Sequence, residues 1–138
     1  GTPIALLMLD IDEFKQYNDH FGHVMGDACI QQTASALLET IQRSTDFVAR
    51  YGGEEFAIVL PDTDLEGAKY FAESTLNHIL NLNIKHAPTA QRSNVTLSIG
   101  YASLTPSLED LYKNLLKIAD AALYKAKENG RACIYTSL

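Results

Sequence analysis

A short, continuously apolar run near the start of the chain constrains the fold most strongly. Residues 4–9 (IALLML) carry no polar side chain, and the run stops at Asp10-Ile11-Asp12. Such a run predicts a central β-strand, buried on both faces, whose end emerges into solvent. In extended geometry the Asp10 and Asp12 side chains point the same way, while Ile11 faces the core. The sequence therefore predicts two carboxylates at one end of a core strand.

The rest of the chain combines short β-prone runs with helical periods. Strands are predicted at 47–51, 56–60, 95–101 and 132–135, helices at about 13–21, 25–42, 66–80 and 108–129, and a short edge strand at 84–86 in a polar loop. A breaker and N-cap at 105–107 are expected before the last helix. The order βααββαβαβ predicts the α+β class, with a mixed, largely antiparallel central sheet flanked by helices. A chain of 138 residues suits one core, so we expect a single domain over 1–138.

Apolar spacing also predicts which side chains fill that core. The residues expected there include Phe14, Phe47, Phe56 and Phe71, together with Leu38 on the apolar face of the second helix. Cys29 and Cys133 fall in a predicted helix and a predicted strand, and we expect two reduced, packed thiols.

The charge balance limits the possible partners. The chain has 11 Lys plus Arg and 17 Asp plus Glu, a formal net charge of −6. A sequence-tolerant binder of polymeric nucleic acid needs a basic face, so that class is excluded, whereas a single phosphorylated ligand is not. The longest aliphatic run is far shorter than the roughly 20 residues that span a bilayer, and we expect a cytoplasmic domain.

Asp10 and Asp12 could together bind a metal ion. Two carboxylates pointing the same way repel each other unless a cation lies between them, and oxygen ligands of this kind suit Mg²⁺. The alternative is a strand that simply ends in polar residues, since Asp-x-Asp is a common string.

The string Gly52-Gly53-Glu54-Glu55-Phe56 lies between two β-prone runs. At average residue frequencies it would occur in a chain of this length with odds of about one in ten thousand. The two glycines suit the positive φ angles of a tight hairpin turn. If this hairpin pairs with the first strand, Glu54 approaches Asp10.

Together these motifs resemble the GGDEF domain of diguanylate cyclases, in its GGEEF variant. The matching segments are Asp10-Ile11-Asp12, Phe14-Lys15, Asn18-Asp19, Phe21-Gly22-His23, Gly26-Asp27 and the glycine string. The resemblance runs from about Ile4 to Arg131 and implies a fold related to the palm of nucleotide cyclases and polymerases. It also implies that two GTP become cyclic di-GMP and two pyrophosphates, with one GTP in each of two facing domains of a homodimer.

The resemblance further assigns the site residues. It implies that Asp10, the Ile11 carbonyl and Glu54 hold two Mg²⁺ ions, with Mn²⁺ as a substitute, and that Asp10 and Glu54 are catalytic. By position, Asn18 and Asp27 read guanine, while the backbone around Phe14 and the side chains of Lys15, Lys127 and Arg131 bind phosphate. A two-metal clamp suits attack of a ribose 3′-hydroxyl on an α-phosphorus. Without the resemblance, Lys127 and Arg131 would be assigned to the helix dipole and Lys15 to solvent.

Two further expectations come from the family pattern. Arg43 and Asp46 form an RxxD string at the spacing of the family's inhibitory site for cyclic di-GMP; the alternative is an exposed loop ion pair. The family usually starts 25 to 30 residues upstream of the Asp-x-Asp pair with a segment that these 138 residues lack, and any sensory or membrane module would lie elsewhere in the parent chain. The alternative function is a non-catalytic receptor for cyclic di-GMP.

Overall fold

The computed structural model describes residues 1–105 and 111–138 and contains five strands and four helices. The strands are β1 (Ile4–Ile11), β2 (Phe47–Arg50), β3 (Glu55–Pro61), β4 (Leu97–Leu104) and β5 (Ile134–Tyr135). The helices are α1 (Phe14–Phe21), α2 (His23–Thr40), α3 (Leu65–Leu80) and α4 (Leu111–Glu128). Among the described residues, no helix is both long and apolar enough to cross a membrane.

The strands form one sheet in the order β2-β3-β1-β4-β5. All neighbours are antiparallel except β4 and β5, which are parallel. The predicted α+β class and the mixed, largely antiparallel sheet are therefore confirmed. As predicted, the apolar run of β1 is the central strand. Near its end, Asp10 lies opposite Glu55 on one side and Ser98 on the other.

Helices cover the two faces of the sheet unequally. Alternate β1 residues such as Leu7 and Leu9 pack with α1, α2 and α3, whereas Leu6 and Met8 pack with α4 on the other face. The α4 backbone lies directly on β4 at Gly100, where a Cβ would come within 2.6 Å of the Ala122 carbonyl carbon. This close approach sets the height of α4 above the sheet and so places the end of the helix.

Two core predictions are wrong, and both concern the β2 side of the molecule. Phe47 is 54% exposed because β2 is an edge strand, and Leu38 is 60% exposed on α2. The predicted edge strand at 84–86 is reduced to a single bridge between Lys85 and Asn94. Two residues of the predicted N-cap segment, 106 and 107, and the predicted start of the last helix lie outside the described residues.

Both cysteines are free thiols, as predicted. Cys29 is buried in α2, and this burial raises its pKa to about 11. A thiol of this kind is mostly protonated at neutral pH and acts as a small apolar side chain.

Candidate active site

Asp10 has a carboxylate whose two oxygens are in different situations. Oδ2 accepts a hydrogen bond from the ammonium of Lys127, near the end of α4, in an ion pair. Oδ1 is buried and has no hydrogen-bond partner in the described part of the chain. Burial raises the pKa of Asp10 to about 6; Lys127 opposes the rise, and the charges of Glu54 and Glu55 add to it. Asp10 thus keeps one oxygen unpaired where a bare negative charge is disfavoured.

The β2–β3 loop brings the two glutamates of the glycine string to the end of β1. Glu55 is the first residue of β3 and lies directly opposite Asp10. The carbonyl oxygen of Glu54 accepts a hydrogen bond from the Ile11 amide at 3.2 Å. Both glutamate side chains are only partly exposed. The structure therefore brings together Asp10, Ile11 and Glu54, the three residues that the sequence predicts as metal ligands.

The two glycines of this loop do not have the positive φ angles that the sequence predicts. The loop spans residues 51–54, longer than a two-residue turn, and neither Gly52 nor Gly53 lies in the left-handed region. The Arg50 guanidinium donates to the carbonyls of Gly52 and Gly53, the latter at 2.7 Å. The longer loop removes the need for left-handed backbone, and its small residues leave the tip open.

Asp12 is held differently from Asp10, although only Ile11 separates them. Its carboxylate accepts hydrogen bonds from the hydroxyls of Thr96 and Ser98, each at 2.5 Å, and from the Ala132 amide at 2.9 Å. Its carbonyl accepts a hydrogen bond from Nε2 of buried His86 at 2.9 Å. We call these five residues the Asp12 cluster. That Asp10 and Asp12 bind a cation together stays a prediction, and at Asp12 a cation would compete with three hydrogen-bond donors.

Asn18 and Gly26 meet where α1 packs on α2. Oδ1 of Asn18 is buried and has no hydrogen-bond partner in the described residues. Gly26 is buried in α2, and a Cβ there would clash with Asn18 Oδ1 and lie 2.9 Å from its Cγ. Asp27 follows Gly26 and is exposed. The two residues predicted to read guanine therefore lie on either side of one helix contact.

The N-terminus of α1 lies close to the end of β1, because only Asp12 and Glu13 separate the two elements. Glu13 is its N-cap residue, in left-handed conformation with φ of 53°, and it forms no side-chain cap. Instead the Glu13 carboxylate accepts a hydrogen bond from the Gln91 amide at 2.6 Å. The first amides of α1, around Phe14, thus lack a side-chain cap, and Lys15 is exposed in the same turn. Uncapped helix amides together with a lysine can bind an anion.

The turn after α4 positions Arg131. Gly130 and Arg131 both have positive φ, 105° and 63°, and the Arg131 amide donates to the Ala126 carbonyl at 3.1 Å. Arg92 donates to the Gly130 carbonyl at 2.9 Å, and the Ala132 amide donates to the Asp12 carboxylate at 2.9 Å. The turn that carries Arg131 is therefore fixed on both sides.

Arg43 and Asp46 pair with each other on a different part of the surface. The Arg43 guanidinium donates through two nitrogens to the Asp46 carboxylate, at 2.8 and 3.2 Å. It also donates to the Pro61 carbonyl at 2.5 Å and to the Thr63 hydroxyl at 2.7 Å. Asp46 is buried, and 42% of the Arg43 side chain is exposed. The alternative of an ion pair in this loop is thus present in the structure, and the pair also ties the loop to the end of β3.

Three features of this region were not predicted from the sequence. Glu55 lies opposite Asp10, and pairing Phe56 with Leu9 in the core would have predicted this. Thr96 and Ser98 alternate with buried Val95 and Leu97, which is a pattern typical of a polar row on one strand face. His86 had no signal, because its partner is a backbone carbonyl 74 residues away.

Comparison with known proteins supplies independent information. A family model described as "Diguanylate cyclase, GGDEF domain" matches residues 1–133. The response regulator PleD of Caulobacter vibrioides is 40% identical over 134 residues, covering 97% of this chain and 29% of PleD. Diguanylate cyclase A of Treponema denticola is 38% identical over 128 residues, covering 93% of this chain and 33% of that protein. The chain thus spans about a third of the length of these relatives.

Solved structures of GGDEF and GGEEF domains are similar to this chain in fold and sequence. The GGDEF domain of DgcB from Caulobacter crescentus, in complex with c-di-GMP, has a TM-score of 0.84 and 34% identity, covering 98% of this chain and 78% of that one. The active GGEEF domain of a diguanylate cyclase from Vibrio cholerae has a TM-score of 0.82 and 35% identity, covering 99% of this chain and 85% of that one. This chain belongs to the GGDEF family, the family of diguanylate cyclase domains.

Proposed function

We propose that residues 1–138 form a single catalytic domain that condenses two GTP into cyclic di-GMP and releases two pyrophosphates. The observation that carries this proposal is the unpaired, buried oxygen of Asp10, next to the loop that holds Glu54. A carboxylate oxygen left without a donor is costly unless a ligand satisfies it. Membership of the GGDEF family supports the same activity.

The donor set at this edge fits Mg²⁺. Asp10, the Ile11 carbonyl and Glu54 offer only oxygen, which is the ligand type that Mg²⁺ prefers. Within residues 1–105 and 111–138 no three His, Cys, Asp or Glu side chains are close enough to hold a metal by themselves. The remaining ligands would then be GTP phosphates and water, as is usual for Mg²⁺. Two such ions, when bound, would lower the pKa of the attacking 3′-hydroxyl and neutralise charge on the α-phosphate.

Positive groups next to Asp10 suit the phosphates of GTP. The uncapped amides of α1 around Phe14 and the exposed Lys15 lie just beyond the end of β1. Lys127 reaches Asp10 from α4, and the fixed turn after that helix carries Arg131. These groups would bind the triphosphate of GTP through hydrogen bonds and charge, and would orient the α-phosphate for attack.

Asn18 and Asp27 would select guanine. Guanine presents adjacent N1–H and N2–H donors, which a carboxylate such as Asp27 accepts. Adenine has an acceptor at N1 and would leave that carboxylate unpaired, so GTP is favoured over ATP by a large factor. The unpaired Asn18 oxygen supports a ligand-binding role for this side chain as well.

Each domain would bind one GTP, so the reaction requires two copies. A homodimer with facing sites brings the 3′-hydroxyl of each GTP to the α-phosphate of the other, which yields the cyclic product and two pyrophosphates. Because the substrate is GTP, we place the reaction in the cytoplasm.

The decisive test is an assay of the full-length protein with GTP and Mg²⁺, with products separated by chromatography. We expect cyclic di-GMP and pyrophosphate in a ratio of one to two, loss of product with a chelator, and no corresponding product from ATP. Tight binding of cyclic di-GMP without turnover would replace this proposal with a receptor function.

We also propose that Arg43 and Asp46 bind cyclic di-GMP as a feedback inhibitor. The guanidinium is partly exposed, and the exposed ring of Tyr70 lies at the same shallow cavity, where it could stack on a base. To bind the product, Arg43 must exchange some of its contacts with Pro61 and Thr63.

The test of this site is calorimetry with cyclic di-GMP on the native protein and on Arg43→Ala. We expect Arg43→Ala to abolish tight binding and to relieve inhibition of the cyclase by added product. Lys85→Ala, which removes an exposed positive charge from another loop, is the matched control. Equal product affinity in Arg43→Ala and the native protein would leave Arg43 with only its structural contacts.

A further inference from the structure

Gly26 lies at a helix position where glycine is not required by the backbone. It is buried in the first turn of α2, and its φ is not in the left-handed region. Glycine is among the poorest helix formers, so alanine would be preferred here if only the helix mattered. The reason for glycine must therefore lie in what packs against it.

The group that packs against Gly26 is the Asn18 carboxamide. A Cβ on residue 26 would overlap Oδ1 of Asn18 and lie 2.9 Å from its Cγ, which is closer than real Cβ contacts. The next neighbour, Cζ of Phe14, would be 3.4 Å away, an ordinary contact distance. The clash is thus specific to the amide of Asn18.

The same amide is unsatisfied in the protein alone. Oδ1 of Asn18 is buried and has no hydrogen-bond partner within the described residues. By contrast, the backbone carbonyl of Asn18 accepts a hydrogen bond from the Gly22 amide at 2.8 Å. The Asn18 side chain thus packs against α2 with a buried oxygen that the fold itself leaves without a hydrogen bond, which is an arrangement that suits a ligand-binding side chain.

We propose that Gly26 is a positioning residue that determines base specificity. Its missing side chain allows the Asn18 carboxamide to rest against α2, one residue from Asp27, so that both groups face the same base. Any larger residue would push Asn18 out of that position while leaving Asp27 in place. This inference rests on the proposed function, since it assigns the base that Asn18 and Asp27 read.

A double-mutant cycle tests this proposal. The four proteins are the native chain, Gly26→Ala, Asn18→Ala and the double variant, and the ligand is 3′-deoxy-GTP with Mg²⁺. This nucleotide lacks the attacking hydroxyl, so calorimetry measures binding without turnover. We expect each single variant to bind at least about tenfold more weakly, and the double variant to bind no more weakly than Asn18→Ala.

Two further measurements separate positioning from a general structural role. Preference for 3′-deoxy-GTP over 3′-deoxy-ATP should fall in Gly26→Ala, which a simple loss of stability would not cause. In thermal unfolding, Gly26→Ala should destabilise the native protein, because its Cβ clashes with Asn18. The same change should stabilise the Asn18→Ala variant, because there the clash is absent and alanine favours the helix more than glycine does. Ser35→Ala, at an exposed position of α2, is the control for helix propensity alone.

The outcomes are distinguishable. If the native protein binds 3′-deoxy-GTP and Gly26→Ala binds it equally well, the positioning role is wrong and the cyclase proposal stands. If Gly26→Ala lowers affinity by the same factor with and without Asn18, residue 26 acts through packing, and the proposal fails. If the native protein does not bind 3′-deoxy-GTP, the proposed function and this inference fail together. A Gly26→Ala protein that folds only when Asn18 is also alanine would support the clash directly.

Discussion

The surroundings of Asp10 and Asp12 differ sharply, although both carboxylates belong to one short segment. Asp12 has a donor for each oxygen, from two hydroxyls and one amide, and joins β1 to β4 and to the turn before β5. Asp10 has one lysine partner and one buried oxygen without a partner in the described residues. Hydrogen-bond satisfaction, rather than residue type or spacing, therefore separates a structural carboxylate from one that is available to a ligand.

The largest expected effect is on the Asp10 side of this comparison. Glu54→Gln keeps the size of the side chain but removes the charge beside Asp10, and we expect cyclic di-GMP formation to fall by about a thousandfold. Thermal stability should be unchanged or slightly higher, because Glu54 opposes ionisation of Asp10. Product chromatography and thermal unfolding measure the two effects.

Glu73→Gln, at an exposed position of α3, controls for the loss of one carboxylate. Cyclase activity of Glu54→Gln within tenfold of the native value would remove Glu54 from the proposed site.

The next effect is on the Asp12 side. Asp12→Ala leaves two buried hydroxyls and the Ala132 amide without their acceptor, and we expect the free energy of unfolding to fall by about 3–4 kcal/mol. Denaturant titration measures this loss. Asp10→Ala is the paired variant and should cost much less. Equal losses for the two variants would show that the Asp12 hydrogen bonds stabilise the fold no more than the surroundings of Asp10 do.

Asp10 also predicts a pH dependence of stability. Its pKa is about 6 in the folded protein against an ordinary value of 3.8, so the folded state holds the proton more tightly. The corresponding stability is complete below pH 4 and is lost as pH rises through 6. We expect native stability to fall by about 2–3 kcal/mol relative to Asp10→Asn between pH 4 and pH 7.

The measurement is chemical unfolding at several pH values, with a chelator, since a bound cation would favour the ionised form. Parallel pH profiles for the native protein and Asp10→Asn would show that Asp10 is not desolvated.

The smallest effect concerns a third carboxylate, Asp46, which is buried like Asp12 but is paired with one partly exposed arginine. Arg43→Ala should lower the free energy of unfolding by only about 1 kcal/mol, because the guanidinium is partly exposed to solvent. Denaturant titration of Arg43→Ala, Asp10→Ala and Asp12→Ala under the same conditions compares the loss in free energy of unfolding at the three carboxylates. A loss as large as that of Asp12→Ala would make the Arg43–Asp46 pair primarily a structural element.

The sequence predicted the parts of the fold that depend on local pattern. The apolar run of β1, the hairpin around the glycine string and the period of α3 each specify their element nearly alone. The exposure of Phe47 was not predictable in this way, because it depends on β2 lying at the sheet edge. The same reason explains why the glycine pair has ordinary φ: the loop length follows from how β2 and β3 pair.

The candidate site was predictable as a set of residues but not as a set of contacts. The resemblance to the GGDEF family identified the candidate residues Asp10, Glu54, Lys127 and Arg131. The structure brings Asp10, the Glu54 loop and Lys127 together. The different use of Asp12 required knowing that Ser98 lies on the adjacent strand and Thr96 just before it, which depends on register across the whole sheet. Long-range hydrogen bonds leave little signal in a single sequence.

The ion pair between Asp10 and Lys127 joins residues that are 117 positions apart in the sequence. This separation affects when the pair can form during synthesis of the chain. Contacts of such long range form late, because a large loop must close first. A nascent chain that has emerged only through β3 can pair Asp10 with Glu55 but has neither Lys127 nor the donors of Asp12. The Asp10–Lys127 pair and the full set of Asp12 donors can therefore form only after α4 and the turn that follows it have been synthesised and have docked on the sheet.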